Sequence, residues 1–245
     1  MGEEYIFYGE IRPHQANLDI PTELETTVSK GKHPGQAKVF IEDSEVAVVY
    51  QLNVSLADLH SFKNLIENLL QSIIDPICFI TGRVLDAEIS QVELPDGKAV
   101  TFESNIPELA DVEPDGKILD NMRRIMTLYD GESGTLLRLS LADYILAMKS
   151  HHETGFYCYR AIESIRQYFH TDEQSKSDSW EALRETLSVD EDAIRDIKEF
   201  ADPRRHGDYV ELPGQTRKEM LLLTRDIIFD FIEHMEENTG SKTSA

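Results

Sequence analysis

Hydrophobic positions in the first half of the chain alternate more often than they cycle. Residues 5–11 (YIFYGEI) are rich in β-forming side chains and predict a strand. A polar stretch with Pro13, Pro21, Gly31, Pro34 and Gly35 follows and carries loop chemistry. The run KVFIEDSEVAVVYQL predicts two strands around the turn Glu42-Asp43-Ser44. Ser55 offers a helix cap, with Asp58 three residues on. Leu56, Leu59, Phe62, Leu65, Ile66, Leu69, Leu70, Ile73 and Ile74 then recur at helical spacing, so one stripe of this helix needs cover, and a sheet is expected to supply it. Pro76 is expected to kink or end the helix. AEISQVEL and KAVTF flank Pro95-Asp96-Gly97, a hairpin signal.

From about residue 118 the period becomes helical. Residues 118–129 place Ile118, Leu119, Met122, Ile125, Met126 and Tyr129 on one face, and residues 130–134 break the pattern. Further helices are expected over 135–149, 155–169, 180–187, 190–200 and 216–236, with Asp190 and Thr216 as caps. On the last, Met220, Leu223, Ile227, Phe231 and Met235 form a stripe that Leu221, Ile228 and Ile232 widen, broad enough for a core and a dimer contact together. The chain is therefore read as α+β. A small, mostly antiparallel sheet packs on one long helix over residues 1–117. An all-α bundle follows over 118–237, and residues 238–245 form a small, polar tail expected to be disordered.

Charge narrows the list of partners. Among 245 residues, 46 are acidic and 24 are Lys or Arg, a net charge of -22. That balance argues against nonspecific DNA binding and against attachment to an anionic membrane. The most apolar stretch, LLQSIIDPICFITG, is interrupted by Asp75 and Pro76 and is short for a bilayer. With an N-terminus unlike a secretory signal, the expectation is a cytoplasmic protein. Two cysteines, Cys78 and Cys158, make neither a disulfide framework nor a Cys-rich zinc site, and their apolar surroundings predict inert thiols. Eleven of the thirteen arginines lie after residue 117, so that half is the better host for an anionic ligand.

Two stretches there stand out. One is FYCYRAIESIR at 156–166, and the other is FADPRRHG at 200–207. A helix reading YRAIESIR, followed some forty residues later by RHG, resembles the HEPN superfamily of helical bundles over roughly residues 135–237. The resemblance implies a helical domain that often dimerises. Many such domains are metal-independent ribonucleases of defence systems, and others bind RNA, a nucleotide or a protein partner without chemistry. Catalytic members carry an Arg, four to six intervening residues and a His. The His moves a proton during 2′-hydroxyl attack, and the Arg stabilises the phosphate. This chain matches the His-Gly end through His206 and Gly207. It departs at the Arg, because Glu199, Phe200 and Ala201 occupy the expected positions.

Each candidate has two readings. His206 is either a proton shuttle or a helix-end residue whose charge suits the C-terminal dipole, with Gly207 terminating the helix. Arg204 and Arg205 either form an anion site beside it or pair with Asp202, Asp208 or Glu163. Arg160 and Glu163, three apart on one helix, either bind ligand or form an intrahelical pair. His151-His152-Glu153 invites a metal reading, but adjacent helical side chains diverge by about 100°, so no metal and no cofactor is expected. Two functions remain open. The favoured one is a non-catalytic HEPN-like module, homodimeric, binding RNA, a nucleotide or a protein in a defence or stress setting. The alternative is a HEPN ribonuclease using His206 with Arg204 or Arg205.

Overall fold

Alternation of buried and exposed side chains organises the first of the two units into which the chain divides, Met1–Ser104 and Asn105–Ala245. The computed structural model describes residues 2–13, 15, 17–29, 33–54, 56, 58–102, 109, 118–171, 175–208, 210 and 212–242, the last four in backbone only.

The first unit holds strands β1 (Glu3–Arg12), β2 (Ile20–Val28), β3 (Gly35–Glu42) and β4 (Glu45–Leu52), helix α1 (Leu59–Thr81), and strands β5 (Asp86–Glu93) and β6 (Ala99–Thr101). They form one antiparallel sheet in the order β2-β3-β4-β1-β5-β6. The β3–β4 turn places Asp43 and Ser44 at φ 49° and 66°. Two successive positive φ values give a hairpin turn whose twist suits the strands. Buried Ser44 also accepts the Leu18 N–H at 2.9 Å, which fixes the chain leading into β2.

Helix α1 buries Phe62, Ile66, Leu70 and Ile74, the stripe its periodicity predicted. The Phe62 ring meets Tyr5, Phe7 and Tyr50 edge-on, with centroids 4.9–5.3 Å apart, and stacks on His33 at 5.1 Å. Such rings add directional contacts to the area they bury. The cap is Asp58, whose carboxylate accepts the His60 and Ser61 N–H groups; Ser55 lies outside the described residues. Pro76 does not end the helix, which continues to Thr81 and closes on left-handed Gly82. Pro76 and Ser72 both face solvent, so water can satisfy the Ser72 carbonyl that a proline cannot.

The unit also covers one of its own sheet edges. Among the described residues, strand β6 pairs with Gln91–Glu93 of β5. Beyond it, Glu67 and Gln71 of α1 accept the Ile89 and Ala87 N–H groups at 3.0 and 3.2 Å. Side chains thus satisfy amides that would otherwise invite another strand. At the other edge lies β2, in the stretch expected to be loop. Its inward positions, Ile20, Leu24, Thr26 and Val28, are only half-buried, and a single neighbouring strand suffices to hold it.

The second unit contains α2 (Ile118–Thr127), α3 (Gly131–Lys149), a 3₁₀ turn (His151–Glu153), α4 (Thr154–Tyr168), α5 (Lys176–Leu187), α6 (Glu191–Arg205) and α7 (Gly214–Lys242). Helix α4 is central and packs against α3, α5, α6 and α7. It contributes buried Cys158, Tyr159, Ala161, Ile162 and Ile165. Together the units make the α+β layout read from the sequence.

Several boundaries differ. Asp190 caps α6 as expected, but α7 begins two residues before Thr216 and runs to Lys242, past the start of the expected tail. Helix α5 begins four residues before Trp180, because Ser175 and Asp178 form a reciprocal capping box. The wide stripe of α7 is consumed by the core. Met220, Leu221, Ile227, Ile228, Phe231, Ile232 and Met235 are all buried within the unit and Leu223 is half-buried, so most of that stripe's apolar area goes to the core. Conversely, the apolar face of α2 is mostly uncovered: Ile118, Leu119, Met122 and Met126 are exposed.

Candidate functional site

The C-terminal end of α3, the 3₁₀ turn, the start of α4 and the end of α6 form one charged cluster. Gly155 permits it. A Cβ at that position would lie 2.7 Å from the Phe200 Cβ, so only glycine lets α4 approach α6 this closely. Buried Arg217 of α7 braces the junction, donating to Thr154 Oγ1 at 3.1 Å and to the Met148 carbonyl at 2.8 Å. That carbonyl lies in the last turn of α3, where a cation suits the helix dipole.

Helix α6 continues to Arg205, with Pro203 in its last turn. His206 is its C-cap, and Gly207 follows at φ 82°. The Asp208 N–H reaches the Pro203 carbonyl at 2.9 Å and the Gly207 N–H reaches the Arg204 carbonyl at 3.2 Å. This is a Schellman ending, which requires the left-handed residue that glycine supplies. The helix-end reading of His206 and Gly207 is therefore what the backbone displays. The imidazole itself is exposed.

The two adjacent arginines are both engaged. Arg204 brings Nε and Nη2 onto Glu153 Oε1 at 2.7 and 2.5 Å. Arg205 Nη1 lies 3.5 Å from Asp202 on its own helix. Pairing with Asp202 was one of the expected alternatives; pairing of Arg204 with Glu153 was not foreseen.

Arg160 and Glu163 do not form the intrahelical pair that their spacing suggested. Arg160 Nη2 reaches Asp143 Oδ1 on α3 at 3.3 Å, and Glu163 reaches Lys176 on α5 at 3.4 Å. The two side chains share a face yet serve different interhelical contacts. The Arg160 guanidinium also sits 5.7 Å from the Phe156 ring centre and 5.9 Å from that of Tyr157, within cation–π range. Burial pushes the Asp143 carboxyl above the ordinary aspartate range, with the Arg160 charge acting against it. Tyr157 is also raised, first by burial and then by the negative charge of Glu153, while Arg160 opposes. Asp143, Tyr157 and Glu153 thus link Arg160 electrostatically to Arg204.

His151 and His152 correct the expected divergence. In the tight 3₁₀ turn their ring centroids are 3.7 Å apart. Among the described residues, no group of three or more His, Cys, Asp or Glu side chains is placed to hold a metal ion. Cys158 is fully buried and its thiol is pushed up to about 12 by that burial, which makes it a poor nucleophile; Cys78 is half-buried.

The sequence reading missed Asp143 and Tyr157 as site residues. Asp143 left a signal: it is an isolated carboxylate within LSLADYILAM, at a position that faces inward on a helix. Tyr157, with Phe156, offers a stacking platform in sequence, but an aromatic beside an apolar stripe reads first as core.

No described helix is long and apolar enough to cross a membrane. No curated protein and no solved structure matches the chain. Residues 5–102 match the domain of unknown function (DUF8168) N-terminal domain, and residues 122–236 match the domain of unknown function (DUF8168) C-terminal domain.

Proposed function

We propose that the helical unit is a HEPN-like binding module that performs no chemistry and takes a phosphate-bearing ligand, a nucleotide or RNA, in a defence or stress setting. The observation that carries this reading is the engagement of both arginines beside His206, Arg204 by Glu153 and Arg205 by Asp202. A ribonuclease needs a cation committed to the phosphate while the His moves a proton. Here both neighbouring cations rest on carboxylates, so neither is preorganised for a transition-state phosphate, although a bound phosphate can compete for them. Binding is less demanding. The Arg204–Glu153 bridge is half-exposed, and such bridges are worth under about 1 kcal/mol, so a phosphate can displace the carboxylate. Arg160, held over Phe156 and Tyr157, adds a second cation and a stacking surface in an otherwise acidic chain.

The exposure of His206 favours a second reading, a metal-independent HEPN ribonuclease with His206 as proton shuttle and Arg204 or Arg205 on the phosphate. One experiment separates the two. A mixed labelled RNA pool is incubated in EDTA with wild-type protein and with His206→Ala, and retention of the same pool is measured alongside. The proposed module retains RNA or nucleotide without cleaving it, and Arg160→Ala weakens retention about tenfold or more through loss of charge-assisted contacts. Cleavage that disappears in His206→Ala establishes the ribonuclease instead. Neither retention nor cleavage discards both and leaves a protein partner to be sought.

A further inference from the structure

The helical unit exposes large apolar side chains on two of its helices, α2 and α3. Helix α2 is pinned by Arg124, whose Nε and Nη2 reach the two carboxylate oxygens of Glu236 on α7 at 2.6 Å each. This fork holds α2 with Ile125 and Tyr129 turned toward the core and Met122 and Met126 turned outward. Between α2, Leu141 of α3 and Phe229 of α7 runs an open groove of about 330 Å³. Ile145, one helical turn beyond Leu141, is exposed, as are Leu139 and Leu146 elsewhere on the outer side of α3. Helix α3 therefore carries large apolar side chains on its outer side as well as in the core, among charged residues such as Arg138.

We infer that this α2–α3 face is a self-association surface that binds the same face of a second copy of this chain. Area is the first argument. Seven large apolar residues on the two helices are each 40–66 % exposed. At roughly 200 Å² per side chain they present on the order of 700 Å², close to the ~800 Å² that each partner contributes to a stable interface. Charge is the second. The chain carries -22 overall, which opposes self-association through most faces. Helix α2 carries Arg123 and Arg124 against Asp120, and α3 carries Arg138 and Lys149 against Glu132 and Asp143, so the pair sums to +1. Two copies meeting here join two helices that carry no net negative charge. Residues of both signs also stand among the exposed positions, as a two-fold contact between identical faces requires. Apolar Met and Leu at the centre with Arg nearby is the composition of such contacts.

The inference stands apart from the reading of the Arg–His cluster, and its test does not depend on any ligand. Sedimentation equilibrium of the full chain, from about 1 to 100 μM, is expected to show a mass twice that of the chain. Met122→Glu and Ile145→Glu, one substitution on each helix, are each expected to weaken association at least about tenfold by burying a charge. Both sites are exposed in the single chain, so circular dichroism is expected to be unchanged. A wild-type protein that remains monomeric throughout overturns the inference. So does a dimer that both variants leave intact, since the contact then lies elsewhere.

Discussion

The two units put polar and apolar groups in opposite places. In the sheet unit buried hydroxyls bond to the backbone. Ser44 ties a hairpin turn to the chain before β2, and His33 accepts the Tyr50 hydroxyl through its main-chain carbonyl. In the helical unit a carboxylate, Asp143, and a guanidinium, Arg217, are themselves buried, while two helices expose leucine, isoleucine and methionine. Burying charge opposes folding unless partners compensate, and exposing apolar area forgoes stability. A unit built only for stability does neither on this scale. The sheet unit resembles a framework, apart from Phe79, Ile80 and Val84 exposed at one end of α1. The helical unit resembles a surface prepared for partners.

The largest test of this contrast removes the centre of the sheet core. Phe62→Ala deletes a ring that touches four others, and a change of that kind costs about 3–5 kcal/mol. The single tryptophan, Trp180, stacks on Tyr159 in the helical unit and reports that unit alone. In the variant, β-structure followed by circular dichroism is expected to melt at lower denaturant than Trp180 fluorescence. Coincident transitions would mean that the units unfold as one, and the contrast between them would lose its energetic meaning. Next in size is Arg217→Leu, which strips charge-assisted donors from Thr154 and Met148 and is expected to cost about 2–3 kcal/mol, read from Trp180. A neutral result would show that this buried cation contributes nothing to the junction beneath the cluster.

How much of this was legible in the sequence follows the same division. Framework features act locally and in pattern: the α1 stripe, the Asp43-Ser44 turn and the Pro95-Asp96-Gly97 hairpin are all present as read. The exception is β2, whose partial burial leaves a weak alternation. In the helical unit periodicity located the helices, but it could not tell which apolar stripe finds cover. The wide stripe of α7 is mostly filled from within, while that of α2 is left open. Site partners were harder still. Arg204 meets Glu153 across 51 positions of sequence, and no spacing rule anticipates such a pair.

Caps offer a matched comparison at smaller amplitude. Asp58→Ala in the sheet unit and Ser175→Ala in the helical unit each remove a side chain that accepts helix N–H groups, and each is expected to cost about 1 kcal/mol. The Asp58 effect should depend on pH. Burial works against its charge, but hydrogen bonds from Ser61 and His60 prevail and hold the carboxyl below its ordinary value. Its contribution is therefore present above the unfolded aspartate range and lost as pH falls through the lower folded value. Acid titration of wild type against Asp58→Ala should show the difference disappearing at low pH. A difference that persists there would assign the cap's effect to packing.

The smallest expected effect separates the units most sharply, because its sign is opposite. Asp143 is raised in the folded protein by burial, with Arg160 compensating only in part. A carboxyl that holds its proton more tightly when folded favours the native state below the unfolded aspartate range. That advantage is lost as pH rises through the higher folded value. Asp143→Asn keeps a neutral group of the same shape at every pH. Stability measured against pH should therefore coincide for wild type and variant in acid and diverge as pH rises, with the variant the more stable. If the variant is instead less stable at neutral pH, the attraction of Arg160 exceeds the burial penalty. Asp143 would then be a framework residue like those of the sheet unit, and the charge beneath Arg160 would be an ordinary ion pair rather than a strained one.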